Sequence, residues 1–219
     1  MEKSDPYLYE DSDVLKNYLN IKDNAKLKQA ESDIVITRIH EVFSSMYFET
    51  SKEYFMELHK HLFSDVYPFA GKLRTVNIYK QEKVLAYESV EYSNYEDIDK
   101  NLDEVFDILK NTNLLSLDLE MRKDFVTSLI SDLWRIHAFR EGNTRTCLVF
   151  LRTYLNSYDI KFDINFFKNE GTYKYMRAAL VASSFESEIY EKSREYKYLR
   201  RIIGDIMELD QERKRSLWN

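Results

Sequence analysis

The chain has 219 residues, enough to bury a sizeable core in one domain, and its 44% hydrophobic and 32% charged content suits a folded protein rather than a disordered one. A net charge of −6 excludes nucleic-acid binding driven by wholesale phosphate neutralisation, and no run approaches the roughly 20 apolar residues of a membrane span. One cysteine, Cys147, excludes an internal disulfide framework. With the acidic, polar N-terminus, unlike a signal peptide, it points to a cytoplasmic protein. The basic run Arg213, Lys214 and Arg215 reads as a solvated helix end.

Four glycines and two prolines are too few for a turn-rich sheet, so the expected fold is all-α. In chain order, helices are expected at about 24–47 and 51–63. Residues 74–87 break the pattern with two β-favouring runs around a polar stretch and read as a small β-hairpin. A lone hairpin is marginal in water, so it must lean on the helices, leaving its outer strand open to a partner. Residues 98–110 place Leu102, Val105, Phe106 and Leu109 on one face. Residues 118–136 carry a wider stripe of Met121, Phe125, Leu129, Leu133 and Ile136, flanked by Val126, Ile130 and Trp134, as in a central helix of a bundle. Further helices are expected at about 143–156, 171–183 and 193–208. With no repeat and no linker, one domain over 1–219 is expected.

The segment that carries chemistry lies between the broad helix and the next one: His137, Ala138, Phe139, Arg140, Glu141, Gly142, Asn143, Thr144, Arg145. Gly142 and Asn143 at a helix N-terminus let the backbone approach an anion, with free N–H groups and the helix dipole facing it. Arg145 in the first turn adds a planar guanidinium. Glu141 is placed to hold Mg²⁺ beside phosphates. His137 has the unperturbed pKa of a general base at neutral pH.

This run resembles the signature of the Fic family, H-x-F-x-(D/E)-G-N-x-R-x-x-R, matching it at His137, Phe139, Glu141, Gly142, Asn143 and Arg145. Residues 14–23 and 58–80 resemble the family's N-terminal and central segments. The resemblance implies an all-α Fic-type bundle with a small β-hairpin flap, a core at about 7–185 and an extra helix at about 193–208. It also implies a protein adenylyltransferase that uses ATP and Mg²⁺ to move AMP onto a Ser, Thr or Tyr hydroxyl, including hydroxyls of its own chain. By the same resemblance His137 is the base, Glu141 the metal ligand, and Gly142, Asn143, Thr144 and Arg145 the nucleotide cradle, while Phe139 folds into the core and fixes the loop. Thr75, Val76, Asn77, Ile78 and Tyr79 of the flap would dock the protein substrate by strand addition. A small antitoxin, or a second copy of the chain in a homodimer, are further partners of this kind.

The chain departs from the signature at its last position, where Leu148 replaces Arg, and at Ala138 and Thr144, where Pro and Gly are usual. That last Arg grips the γ-phosphate and pairs with an inhibitory Glu of a motif (S/T)-x-x-x-E-(G/N). Two segments have the spacing, ending at Glu41 and Glu191. With Leu148 in the cation's place, neither restrains the enzyme in the usual way unless Arg145 or Arg152 substitutes. His59 and His61 project from different helix faces and are poor candidates for a shared metal. Cys147 reads as a buried small residue rather than a nucleophile. The alternatives are another phosphate-containing group transferred on the same scaffold, or a catalytically weak, toxin-like binding protein.

Overall fold

A computed structural model describes residues 5–45, 47–162, 170–187 and 192–216. Among the described residues seven α-helices follow one another: α1 (Asn24–Ser45), α2 (Lys52–Phe63), α3 (Ile98–Asn111), α4 (Leu119–Ile136), α5 (Asn143–Ser157), α6 (Glu170–Ser184) and α7 (Lys197–Ser216). Among the described residues there is no regular strand, only two isolated bridges, Leu8–Leu15 and Ser187–Lys192.

Helix α4 is the hub, packing on α3, α5, α6 and α7, while α2 packs on α1, α3 and α5. Its start is capped by Asp118, which accepts from the Met121 N–H at 2.8 Å. The stripe read from the sequence is buried from Val126 to Ile136, but Met121 is 54% exposed. It sits in the first turn of the helix. Four rings, Phe55, Phe106, Phe139 and Phe150, pack with centroids 5.4–5.9 Å apart at the centre. This cluster ties α2, α3 and α5 to the loop after α4.

The expected hairpin is not formed as a pair of strands. The second run coils into a short 3₁₀ turn, Lys83–Leu85, and Ala86 and Tyr87 adopt left-handed backbone. Ladder groups of the first run are diverted as well: the Val76 carbonyl accepts from the Arg74 side chain at 2.7 Å, and the Thr75 N–H donates to the Tyr7 hydroxyl at 3.0 Å. Val84 is 57% exposed, so its β-branched side chain finds no sheet face to pack on. The chain bends at Thr75 and Val76, and exposed and half-buried side chains alternate over residues 75–80.

Candidate active site

Helix α4 ends at His137, whose backbone is left-handed at φ +50°. This turn directs the chain across the N-terminus of α5 and holds the imidazole against Tyr92 and Trp134, at centroid distances of 4.0 and 5.1 Å. Its Nδ1 lies 3.2 Å from the Trp134 carbonyl, which assigns the ring proton to Nδ1. Nε2 is then an acceptor, buried and without a hydrogen-bond partner among the described residues. Burial, reinforced by Lys80, pushes the imidazole pKa well below its ordinary value.

The loop is closed by Asn143, which accepts from the Phe139 N–H at 2.9 Å and donates to the Phe139 carbonyl at 2.7 Å. Phe139 is buried in the aromatic cluster, as expected. Gly142 is the N-cap of α5 with φ +82°, and a Cβ there would lie 2.4 Å from the Phe63 ring. Only glycine fits both the space and the backbone. Its N–H donates to Glu141 Oε1 at 2.9 Å. Burial alone would raise the Glu141 carboxyl, but Lys80, Arg145 and that N–H together bring it down to about 2. Thr144 accepts from Trp134 Nε1 at 2.9 Å, fastening α5 to α4.

His137, Glu141, Gly142, Asn143, Thr144 and Arg145 line one cavity of about 770 Å³. Its far wall comes from α1 and α6, including Lys28, Glu31, Tyr173, Lys174 and Arg177, and Lys80 stands at its edge. Arg145 is 4.0 Å from Glu141 and stacks over the Phe63 ring at 4.9 Å. The same guanidinium is ion-paired with Glu31, a carboxylate 5% exposed that also accepts from the Tyr67 hydroxyl.

The two glutamates singled out by spacing stand elsewhere. Glu41 points away from the cavity and pairs with Arg38 at 2.8 Å and His61 at 3.1 Å. Glu191 lies outside the described residues. Leu148 is fully buried in the core, and Arg152 stacks on Phe43 at 3.6 Å and donates to the Phe162 carbonyl. Cys147 is buried and its thiol pKa is pushed up by desolvation.

With this geometry in hand, comparison with known proteins is informative. The Fic/DOC family model matches residues 49–155. Over 150 residues the chain is 31% identical to "Probable protein adenylyltransferase y4lH" of Sinorhizobium fredii, covering 67% of this chain and 73% of that protein. The chain belongs to the Fic/DOC family. It is also 31% identical over 149 residues to "Protein adenylyltransferase VbhT" of Bartonella schoenbuchensis, a match that covers 68% of this chain but 30% of that longer protein. The crystal structure of BepC from Bartonella tribocorum, with bound AMPPNP, superposes with a TM-score of 0.74 over 91% of this chain and 95% of its own, at 19% identity. That similarity shows a shared Fic fold.

Three residues outside the signature shape the site and were not legible in the sequence. Arg74 is buried, has no carboxylate partner among the described residues, and donates through Nε to the His137 carbonyl at 2.8 Å and through its other nitrogens to the carbonyls of Val76 and Ser93. Burial lowers its pKa to about 10. His59 stacks on Phe139 at 3.7 Å, accepts from the Gly71 N–H at 2.8 Å and donates to the Glu141 carbonyl at 3.0 Å. It is a structural histidine, as its spacing from His61 suggested, and it fixes the backbone of the loop. Glu31 is preceded four positions earlier by Leu27 and followed by Ser32, so no spacing rule marks it.

Proposed function

We propose that this protein transfers AMP from ATP to a hydroxyl of a protein, with His137 as the general base. The observation that carries this reading is the imidazole: Nδ1 is tied to the Trp134 carbonyl, and the lone pair on Nε2 is unclaimed in a cavity shared with Glu141 and Arg145. A ring kept neutral by burial is ready to take a proton at pH 7. The adenylyltransferase names of two relatives support the reading, and ATP as donor is supported by the AMPPNP bound in BepC.

The donor set fits Mg²⁺. Glu141 offers an ionised, hard-oxygen carboxylate beside a helix N-terminus whose glycine lets phosphates come close. When bound, the ion supplies neutralisation of phosphate charge. The chain's own residues do the rest. Arg145 and the first N–H groups of α5 hold phosphate oxygens, and Asn143 keeps the loop closed around them. The target hydroxyl oxygen attacks the α-phosphorus, His137 Nε2 takes the hydroxyl proton, and the bond to the pyrophosphate oxygen breaks.

The target segment lies along Thr75, Val76, Asn77, Ile78 and Tyr79. A groove of about 470 Å³ between residues 77–79 and 89–94 supports this docking mode. We take the chain as one Fic-type domain, with α7 as an addition to the core.

Intact-mass analysis of the full chain, alone and with candidate target proteins, after incubation with ATP and Mg²⁺ tests the reading. An AMP adduct is expected, and His137→Ala should abolish it while binding ATP within about threefold of wild type. A phosphate adduct would favour the other transfer chemistry. Labelling by His137→Ala would overturn the base assignment.

A further inference from the structure

Position 148 of α5 presents a buried leucine, and Arg152 one turn further is turned onto Phe43, so α5 offers the cavity a single guanidinium, Arg145. A triphosphate carries more charge than one Arg and one divalent ion offset. Another element supplies a cation at the right place. Lys80 lines the same cavity, with Nζ 3.5 Å from Glu141 Oε2.

The backbone under Lys80 is pinned. Its N–H donates to Ser89 Oγ at 3.2 Å. Two residues on, Glu82 donates its N–H to the Glu88 carbonyl, and its own carbonyl accepts from Leu85 and Tyr87. The Glu82 carboxylate, almost fully buried, pairs with Arg177 of α6 at 2.7 Å. The loop that carries Lys80 is therefore clamped to the far wall of the cavity. A mobile surface lysine would lose more rotamer freedom on binding than one presented in this way.

We infer that Lys80 is a phosphate-binding residue of this site, its ammonium shared between Glu141 and the polyphosphate of ATP, in place of the cation that α5 lacks at Leu148. This rests on the nucleotide-transfer reading above. A lysine serves here as a point charge, with no demand for the planar fork that an arginine would need.

Calorimetric titration of the full chain with ATP, at low and at saturating Mg²⁺, tests it. Lys80→Met should weaken ATP binding about tenfold or more at both Mg²⁺ concentrations, the worth of one charge-assisted hydrogen bond, and Lys80→Arg should restore most of it. An unchanged thermal midpoint shows that the variant is folded. If Lys80 only neutralises Glu141, Lys80→Met frees that carboxylate for the metal, and ATP affinity at saturating Mg²⁺ stays level or rises. That result overturns the assignment and leaves the transfer reading standing. A wild-type chain that binds no ATP at all counts against the transfer reading itself.

Discussion

At the scale of single residues, the site is a set of charges whose states are fixed by their neighbours. Glu141 is ionised because Lys80 and Arg145 outweigh its burial, and His137 is held neutral because burial and Lys80 outweigh the pull of Glu141. The pairing of Arg145 with Glu31 has a direct consequence. Glu31 stands about 15 Å along α1 from Glu41, ten residues at 1.5 Å each, and on a different face. It is therefore the α1 carboxylate that meets the cradle. A polyphosphate arriving at Arg145 must displace Glu31 or accept its repulsion. Glu31→Gln, which keeps the shape and the Tyr67 contact, is expected to raise ATP affinity on the order of tenfold. Glu41→Gly should leave it within about twofold, because its partners are Arg38 and His61 at the surface. Titration calorimetry with ATP and Mg²⁺ checks both, and an unchanged affinity in Glu31→Gln would remove Glu31 from the control of the site.

At the scale of elements, the site is made where two helices end and begin. The α4 C-terminus turns left-handed at His137, and α5 starts at Gly142 with φ +82°. Those two turns let nine residues bring an imidazole, a carboxylate and a helix N-terminus to one cavity. Phe63 of α2 fills the space where a side chain at 142 would stand. Gly142→Ala is expected to destabilise the protein by about 1–3 kcal/mol through left-handed strain, more if the ring cannot move aside. It should also lower ATP affinity, because the first turn of α5 must shift. Urea unfolding measures the first effect and calorimetry the second; a variant as stable as wild type would show that the loop adapts without strain. The segment at 83–87 teaches a related lesson. Its β-favouring residues were overridden by a 3₁₀ turn and by side chains that claim the ladder groups, because propensity is weak where no partner strand is packed against it.

At the scale of the whole molecule, the buried histidines make stability depend on pH. The folded pKa of His59 is lowered to about 3, against an ordinary value near 6.5 in the unfolded chain. The unfolded state therefore binds the proton first, and His59 contributes stability that is full above pH 6.5 and is lost progressively as pH falls toward 3. His137 acts with the same sign. The thermal midpoint is expected to fall steadily between pH 6.5 and 4, and His59→Gln, although less stable at pH 7, should show a shallower fall. Calorimetric scans at several pH values check this; parallel curves for both proteins would mean that His59 is not the group responsible. No helix of the described residues is long and apolar enough to cross a membrane.

Much of this protein could be read from its sequence alone. Helix positions follow from periodicity, because burying one face at a spacing of 3.6 residues is a local property of the chain. The chemical segment is equally legible, since base, carboxylate, glycine and helix start lie within nine consecutive residues. The tertiary structure decided what depends on neighbours far apart in the chain. It placed Glu31 on Arg145 across 114 positions, set Lys80 beside Glu141, and gave Arg74 and His59 the backbone of the 137–141 loop to hold. It also turned Arg152 onto Phe43 and left Thr75 to Tyr79 outside any strand. None of these is encoded in spacing: a buried polar group takes whichever partner the packed helices bring within reach, because leaving it without one is costly.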